Sequence, residues 1–241
     1  TSKATYRGKL EANNFNLSKW IDNDEFGRIS FKAEVKNGTG LTLETVNANM
    51  VASVSSLVFR KYEYKNIQFI GSLKRNLISG KLNVKDENMD FTFDGTIDYL
   101  SEYPEFDFVS EINNLDLFAL NLVNKPLTVS GDIKSNIKIR DISSMHGTAS
   151  LKDVVISGGE KSFTVIDSLN IIASFIDQPY KTFELYSDIL DLSLLGQYDF
   201  TSIYPAITNI LVRKHPNFST LLGIQDENAN IQSNDFAFDL H

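Results

Sequence analysis

The sequence predicts a mainly β protein built around a broad antiparallel sheet. Three observations predict it: many segments alternate strictly between apolar and polar residues, clusters of Asn, Asp, Gly and Ser separate these segments, and helical periodicity is rare. Successive side chains of a strand point to opposite faces, so this alternation indicates one apolar face and one solvated face.

The segment GKLNVKDENMDFTFDGTIDY, from Gly80 to Tyr99, shows the pattern clearly. Its apolar residues share one parity on each side of the polar turn at Asp86–Asn88, which predicts a hairpin. The same alternation continues at 29–35, 46–54, 67–73, 127–139, 169–175 and 192–200. Turn signals divide these segments into about a dozen strands. Many are longer than the usual strand of about 5–6 residues, which favours a wide sheet.

Helical periodicity is confined to three short segments. In the strongest, 202–214, Pro205 lies in the first turn and Pro216 follows the end. A second candidate is 16–21, and a third, 115–122, fits both the helical and the strand period. These helices are too short to cover the predicted sheet.

Glycines recur beside the alternating segments. Gly71, Gly80 and Gly95 punctuate one stretch of the chain, and Gly131 and Gly147 punctuate a similar one further on. Repetition of a strand–turn–strand unit indicates a sheet extended by duplication.

Composition narrows the possible functions. The formal net charge of −8 argues against nucleic acid as a partner, since phosphates attract clustered Lys and Arg. The chain has no cysteine, which removes disulfides, thiolate nucleophiles and the commonest structural zinc sites. No apolar run approaches the roughly 18–20 residues that span a bilayer. The first residue is Thr1, and we interpret the sequence as a segment of a longer chain.

The acidic turn DENMD is the best candidate for a metal site. Asp86, Asn88 and Asp90 have the spacing of the first three ligands of a calcium loop. Phe91 and Ile97 stand where that loop requires Gly and Glu. We therefore interpret the segment as a solvated hairpin turn.

Signatures of catalysis are missing. His146, His215 and His241 lack metal-ligand spacing, and the sequence contains no nucleophile elbow, Walker loop, dinucleotide-binding glycine motif or zincin motif. A carboxylate pair for glycoside cleavage stays an open alternative, although the acidic residues fall mostly on the solvated parity of strands. We predict that the chain is not an enzyme and has no catalytic residues, metal or cofactor.

A family resemblance is visible in the stretch YKNIQFIGSLKRNLISGKLNVKDENMDFTFDGTIDY. It resembles the internal repeat of TamB-like proteins of the AsmA superfamily, from Gram-negative cell envelopes. That repeat reads approximately aromatic-polar-x-I-x-x-x-G-x-L, followed by G-x-L-x-I-x-D-x-N-L-x-L-x-F-x-G. The matching residues are Tyr64, Ile67, Gly71, Leu73, Gly80, Leu82, Val84, Asp86, Asn88, Met89, Phe91, Phe93 and Gly95.

Two further phrases are similar to segments of the same family. LEANNFNLSKWI (Leu10–Ile21) resembles its "nFdL" segment, and LYSDILDLSLLGQYDF (Leu185–Phe200) resembles its "S-D-x-x-D" segment. The tail 201–241 matches only weakly, and the family's transmembrane helix and C-terminal domain have no counterpart in the sequence. We therefore expect one elongated β-rich domain over residues 1–241, an interior piece of a larger parent.

The resemblance implies a long sheet curled into a gutter, with the apolar face inside, in the periplasm of a parent anchored in the inner membrane. Two roles follow. One is transport of phospholipid between the inner and outer membranes. The other is protein secretion or outer-membrane protein assembly with a partner β-barrel.

Acyl chains would then lie along the apolar parity of the strands, because a dry apolar groove needs no polar ligand groups. The candidate groove residues are Leu82, Val84, Met89, Phe91, Phe93, Ile97, Ile133, Ile137, Ile139, Leu192 and Leu194. Three alternatives stay open. These residues could pack against another layer, an edge strand could pair with a client strand, or the chain could be a carbohydrate-binding or adhesive β-sandwich.

Overall fold

The computed structural model describes residues 5–40, 42, 45–99, 101–141, 144–158, 161–175, 180–188, 191–197 and 235–240. The elements are β1 (Thr5–Asn16), α1 (Leu17–Ile21), β2 (Phe26–Thr39), β3 (Asn47–Phe59), β4 (Tyr62–Lys74), β5 (Leu77–Lys85), β6 (Met89–Asp98), β7 (Glu105–Asp116), β8 (Thr128–Ile139), β9 (Met145–Gly158), β10 (Lys161–Ser174), β11 (Lys181–Ser187), β12 (Leu192–Gln197) and β13 (Asp235–Leu240). All the strands lie in chain order in one antiparallel sheet.

The predicted fold class is confirmed. The protein is mainly β, its strands form one open sheet whose ends are β1 and β13, and α1 is the one helix among the described residues. The helix predicted at 202–214 lies outside the described residues.

The register places most apolar residues of β1–β12 on one face, whereas Val51, Ile70 and Leu195 are exposed on the other. Phe69 of β4 lies opposite Leu82 of β5, which lies opposite Phe93 of β6. We call this side the apolar face; from β1 to β12 it includes Leu10, Ala12, Phe31, Ala33, Val35, Met50, Ala52, Val54, Tyr64, Ile67, Phe69, Leu82, Val84, Met89, Phe91, Phe93, Ile97, Phe106, Phe108, Ile112, Ile133, Ile137, Ile139, Ala149, Leu151, Ile171, Ala173, Phe183, Leu185, Leu192 and Leu194. The opposite side is the polar face.

Cross-strand ion pairs occupy the polar face. Lys81 of β5 lies 2.9 Å from Asp94 of β6, and Lys138 of β8 lies 3.3 Å from Glu105 of β7. Exposed pairs of this kind contribute at most about 1 kcal/mol each. They help to specify register, because a slip by one residue would move the charges onto the apolar face.

Three of the repeat glycines form a row across the middle of the sheet. Gly71 lies opposite Gly80, and Gly80 lies opposite Gly95. A Cβ at Gly71 would lie 2.2 Å from the carbonyl oxygen of Ser79. The neighbouring backbones therefore approach more closely than a side chain would allow.

The helix predicted at 16–21 is confirmed as α1. The Asn16 side chain caps it by accepting a hydrogen bond from the backbone N–H of Lys19, at 3.3 Å. Asp22 ends the helix in the left-handed conformation, with φ of 54°. Trp20 of α1 is 73% exposed.

Buried hydrophobic side chains in and beside β10–β12 pack together in a cluster. The members of this cluster are Ala173, Phe175, Phe183, Leu192 and Leu194. Elsewhere, every extensive contact between elements joins neighbouring strands, except that of α1 with β2. Among the described residues, no second sheet covers the apolar face.

Candidate functional site

The structure places all the predicted groove residues on the apolar face, in two states of exposure. Those that are half-buried are Leu82, Met89, Phe91, Phe93, Ile97, Ile133, Ile137 and Ile139. Those that are buried are Val84, Leu192 and Leu194, which are 1%, 3% and 1% exposed. The half-buried group presents apolar surface to the exterior, whereas the buried group packs within the protein.

The face also includes aromatic residues that the predicted groove left out. Phe108 of β7 packs against Phe93, with ring centroids 5.1 Å apart. Phe69 of β4 and Phe106 of β7 are half-buried on the same side. Their signal in the sequence is the same alternation that identified Phe91 and Phe93, so the pattern could have found them.

A concavity of about 880 Å³ lies on the polar face, over β6–β10. Among its lining residues are Asp94, Glu111, Asp132, Lys134 and Lys152. Of the predicted groove residues, Ile133 alone contributes to it. A twisted sheet is curved in more than one direction, so both of its faces can have concave regions. The concavity is lined by charges of both signs and does not coincide with the apolar face.

The most organised polar site is the turn between β5 and β6. The carboxylate of Asp86, which is 8% exposed, accepts hydrogen bonds from the hydroxyl of Tyr62 and from the backbone N–H groups of Lys65 and Asn88, the latter two at 2.9 and 3.0 Å. The Asn88 side chain also donates to the Tyr62 hydroxyl, at 3.1 Å. The prediction of a solvated turn is therefore wrong at Asp86, because β4 supplies donors that the local sequence does not contain.

This turn also makes stability depend on pH. Burial, reinforced by the hydrogen bond to Asp86, raises the pKa of Tyr62 from 10.0 to about 12. The folded protein keeps a proton that the unfolded chain loses above about pH 10, so the contribution of Tyr62 is complete below pH 10 and is lost as the pH rises towards 12.

We expect the stability difference between wild type and Tyr62→Phe to shrink over this interval. Urea unfolding of both proteins near pH 9 and near pH 11 measures it. Both proteins contain the other tyrosines, so the contributions of those residues to the free energy of unfolding cancel in the difference. A difference that is constant with pH would contradict the prediction.

The described residues form neither a cluster of metal ligands nor a membrane-spanning helix. No three His, Asp or Glu side chains among them lie close enough together to hold a metal ion. None of the described helical structure has the length and apolar character needed to cross a bilayer.

Comparison with known proteins gives no relative. No family model, no curated protein and no solved structure matches this chain.

Proposed function

We propose that this chain is an interior, periplasmic segment of a TamB/AsmA-like envelope protein, and that its apolar face carries phospholipid acyl chains between the inner and outer membranes. One observation carries the proposal: a continuous apolar face crosses the strands from β1 to β12, and no second sheet among the described residues covers it. The motif phrases that resemble the family repeat form β4–β6, in the middle of that face. In this role the chain needs no catalytic residue, metal or cofactor.

The size of the face suits such a ligand. Strands lie about 4.8 Å apart, so a sheet of thirteen strands extends roughly 55–60 Å across its strands. One acyl chain covers half of the ~30 Å hydrocarbon core of a bilayer and would therefore cross about three strands. Each buried methylene contributes about 0.8 kcal/mol, so contact with apolar side chains is sufficient for binding.

The test is native mass spectrometry of the purified protein, followed by extraction and identification of lipid. We expect phospholipid to accompany the wild type and to fall at least tenfold in the double variant Phe91→Asp/Phe93→Asp, since a charge in an acyl environment costs about 2.5–3.5 kcal/mol.

The control is Thr92→Asp, which introduces one aspartate between these two residues but on the polar face. Circular dichroism identifies variants that have lost the fold. A lipid-free wild type, or equal lipid in the double variant and the control, would contradict the proposed function.

A second candidate is protein secretion or outer-membrane protein assembly by strand pairing with a client or a partner β-barrel. It is favoured by β1, an edge strand of 12 residues with no proline whose outer side has no partner among the described residues. Leu10, on its apolar side, is 57% exposed. Arg7, Lys9 and two register shifts within β1 make pairing less favourable. A β-sandwich would require a second sheet facing the first.

A further inference from the structure

The connection between β7 and β8, Leu117–Leu127, is an ordered segment that we call the strap. It begins with one helical turn, in which the Asp116 carboxylate accepts hydrogen bonds from the backbone N–H groups of Phe118 and Ala119, at 3.1 and 2.9 Å. Its base is closed by the N–H of Leu117, which donates to the carbonyl of Leu127 at 2.9 Å. The candidate helix at 115–122 is therefore a single turn.

The strap reaches across two strands. The side-chain amide of Asn121 donates to the backbone carbonyl of Arg60, at 3.1 Å. Arg60 lies in the turn between β3 and β4, whereas the strap starts at β7 and ends at β8. Since β5 and β6 lie between these places, the strap extends across the ends of both strands, a distance of roughly 14 Å.

The strap lies at a buried end of the apolar face. Leu120, inside the strap, has no exposed surface. At this end of the sheet Val84 is 1% and Tyr64 is 7% exposed, whereas Leu82, two residues further into β5, is half-buried. Phe59 and Tyr62 pack against Tyr64, with ring centroids 6.4 and 4.8 Å from its own. Since no second sheet is present there among the described residues, we attribute the remaining burial to the strap.

The outer side of the strap is apolar and weakly held. Phe118 and Leu122 are 47% and 38% exposed. The bond from Asn121 to Arg60 joins an exposed side chain to a surface turn, where a hydrogen bond contributes little net stability. Release also exposes the buried Leu120 side chain, but it leaves the hydrogen bonds between the strands intact, so it requires less free energy than unfolding of the sheet.

We propose that the strap is a movable cover of the apolar face, and that its release from Arg60 exposes Leu120, Val84 and Tyr64 to acyl chains. The identity of the ligand rests on the proposed function above. The movement of the strap does not rest on that function, and the experiment tests the movement and the ligand separately.

The chain contains no cysteine, so Leu120→Cys introduces a single reporter for labelling by a water-soluble maleimide. The test variant adds Asn121→Asp. Aspartate has the same size and tolerates the φ of 60° at this position, but it has no N–H to donate and directs a negative charge at the carbonyl of Arg60. We expect labelling at position 120 to accelerate about two- to fivefold.

Two controls isolate the movement. Asn124→Asp makes the same charge change at an exposed position of the strap where no hydrogen bond is seen among the described residues. Leu194→Cys, in the buried cluster near β12, reports opening of the sheet as a whole. Hydrogen exchange of the strap in the cysteine-free Asn121→Asp and Asn124→Asp proteins provides a second measurement, should Leu120→Cys perturb the fold.

Acceleration at position 120 by Asn121→Asp alone, with position 194 unchanged, supports a movable strap. Equal rates in the two aspartate variants, or equal acceleration at both cysteines, would overturn it. Native mass spectrometry then compares the phospholipid bound by Asn121→Asp and Asn124→Asp, and a two- to fivefold increase in the former supports control of acyl access. If labelling at position 120 accelerates but the protein binds no phospholipid, the movement of the strap would stand. The proposed function and the control of acyl access by the strap would both be overturned.

Discussion

Replacing Gly80 by alanine is expected to destabilise the sheet by about 3 kcal/mol. A Cβ at this position would lie 2.4 Å from the carbonyl oxygen of Ile70 and 2.6 Å from the Cα of Gly71, and both of these are backbone atoms. No side-chain rotation can relieve the overlap, so β4 and β5 would have to move apart. The φ of +155° at Gly80 adds strain for any other residue.

Gly8→Ala is the matched control. Gly8 belongs to the same cross-strand row, through Val35, Met50 and Gly71, but a Cβ there would meet no atom within 4 Å. We expect its effect to stay within about 0.5 kcal/mol. Urea unfolding of both variants measures the difference, and equal destabilisation would show that the close approach at Gly80 is unimportant.

Replacing Asp86 by alanine is expected to lower the free energy of unfolding by about 3 kcal/mol. The substitution leaves three donors without their acceptor: the hydroxyl of Tyr62 and the backbone N–H groups of Lys65 and Asn88. Hydrogen bonds to a charged group contribute about 1.5–3 kcal/mol each, and water that enters the site recovers part of the loss.

Glu87→Ala provides the control, since this neighbouring residue is exposed. Its effect should be within about 0.5 kcal/mol. In a double-mutant cycle, Tyr62→Phe should cost less in the Asp86→Ala background than in wild type, because the two side chains form one network. Additive effects of the two substitutions would contradict this account of the turn.

Local patterns in the sequence predicted the faces of the sheet correctly. The alternation through Leu82, Val84, Phe91 and Phe93 predicted a hairpin with one apolar side, and the register confirms it. The helix after Asn16 was equally predictable, because its cap and its turn lie within a few residues of one another. Both features depend on interactions between near neighbours in the chain.

Other features could not be predicted because they join distant parts of the chain. The sequence shows Gly71, Gly80 and Gly95 as a loose repeat, and only the pairing of β4, β5 and β6 makes them one row. Asp86 appeared solvated because its partner Tyr62 lies 24 residues earlier. Asn121 bonds to Arg60, 61 residues earlier, only because the strap crosses the ends of β5 and β6.

The candidate site also combines features that the sequence determines with features that only the tertiary structure decides. By itself the sequence determined which residues point to one side, since the period of a strand is a property of its backbone. The tertiary structure decided which of them present surface: Phe91 and Phe93 are half-buried, while Leu192 and Leu194 are enclosed in the cluster near β12. Exposure depends on what the rest of the chain places over a residue, and alternation carries no information about that.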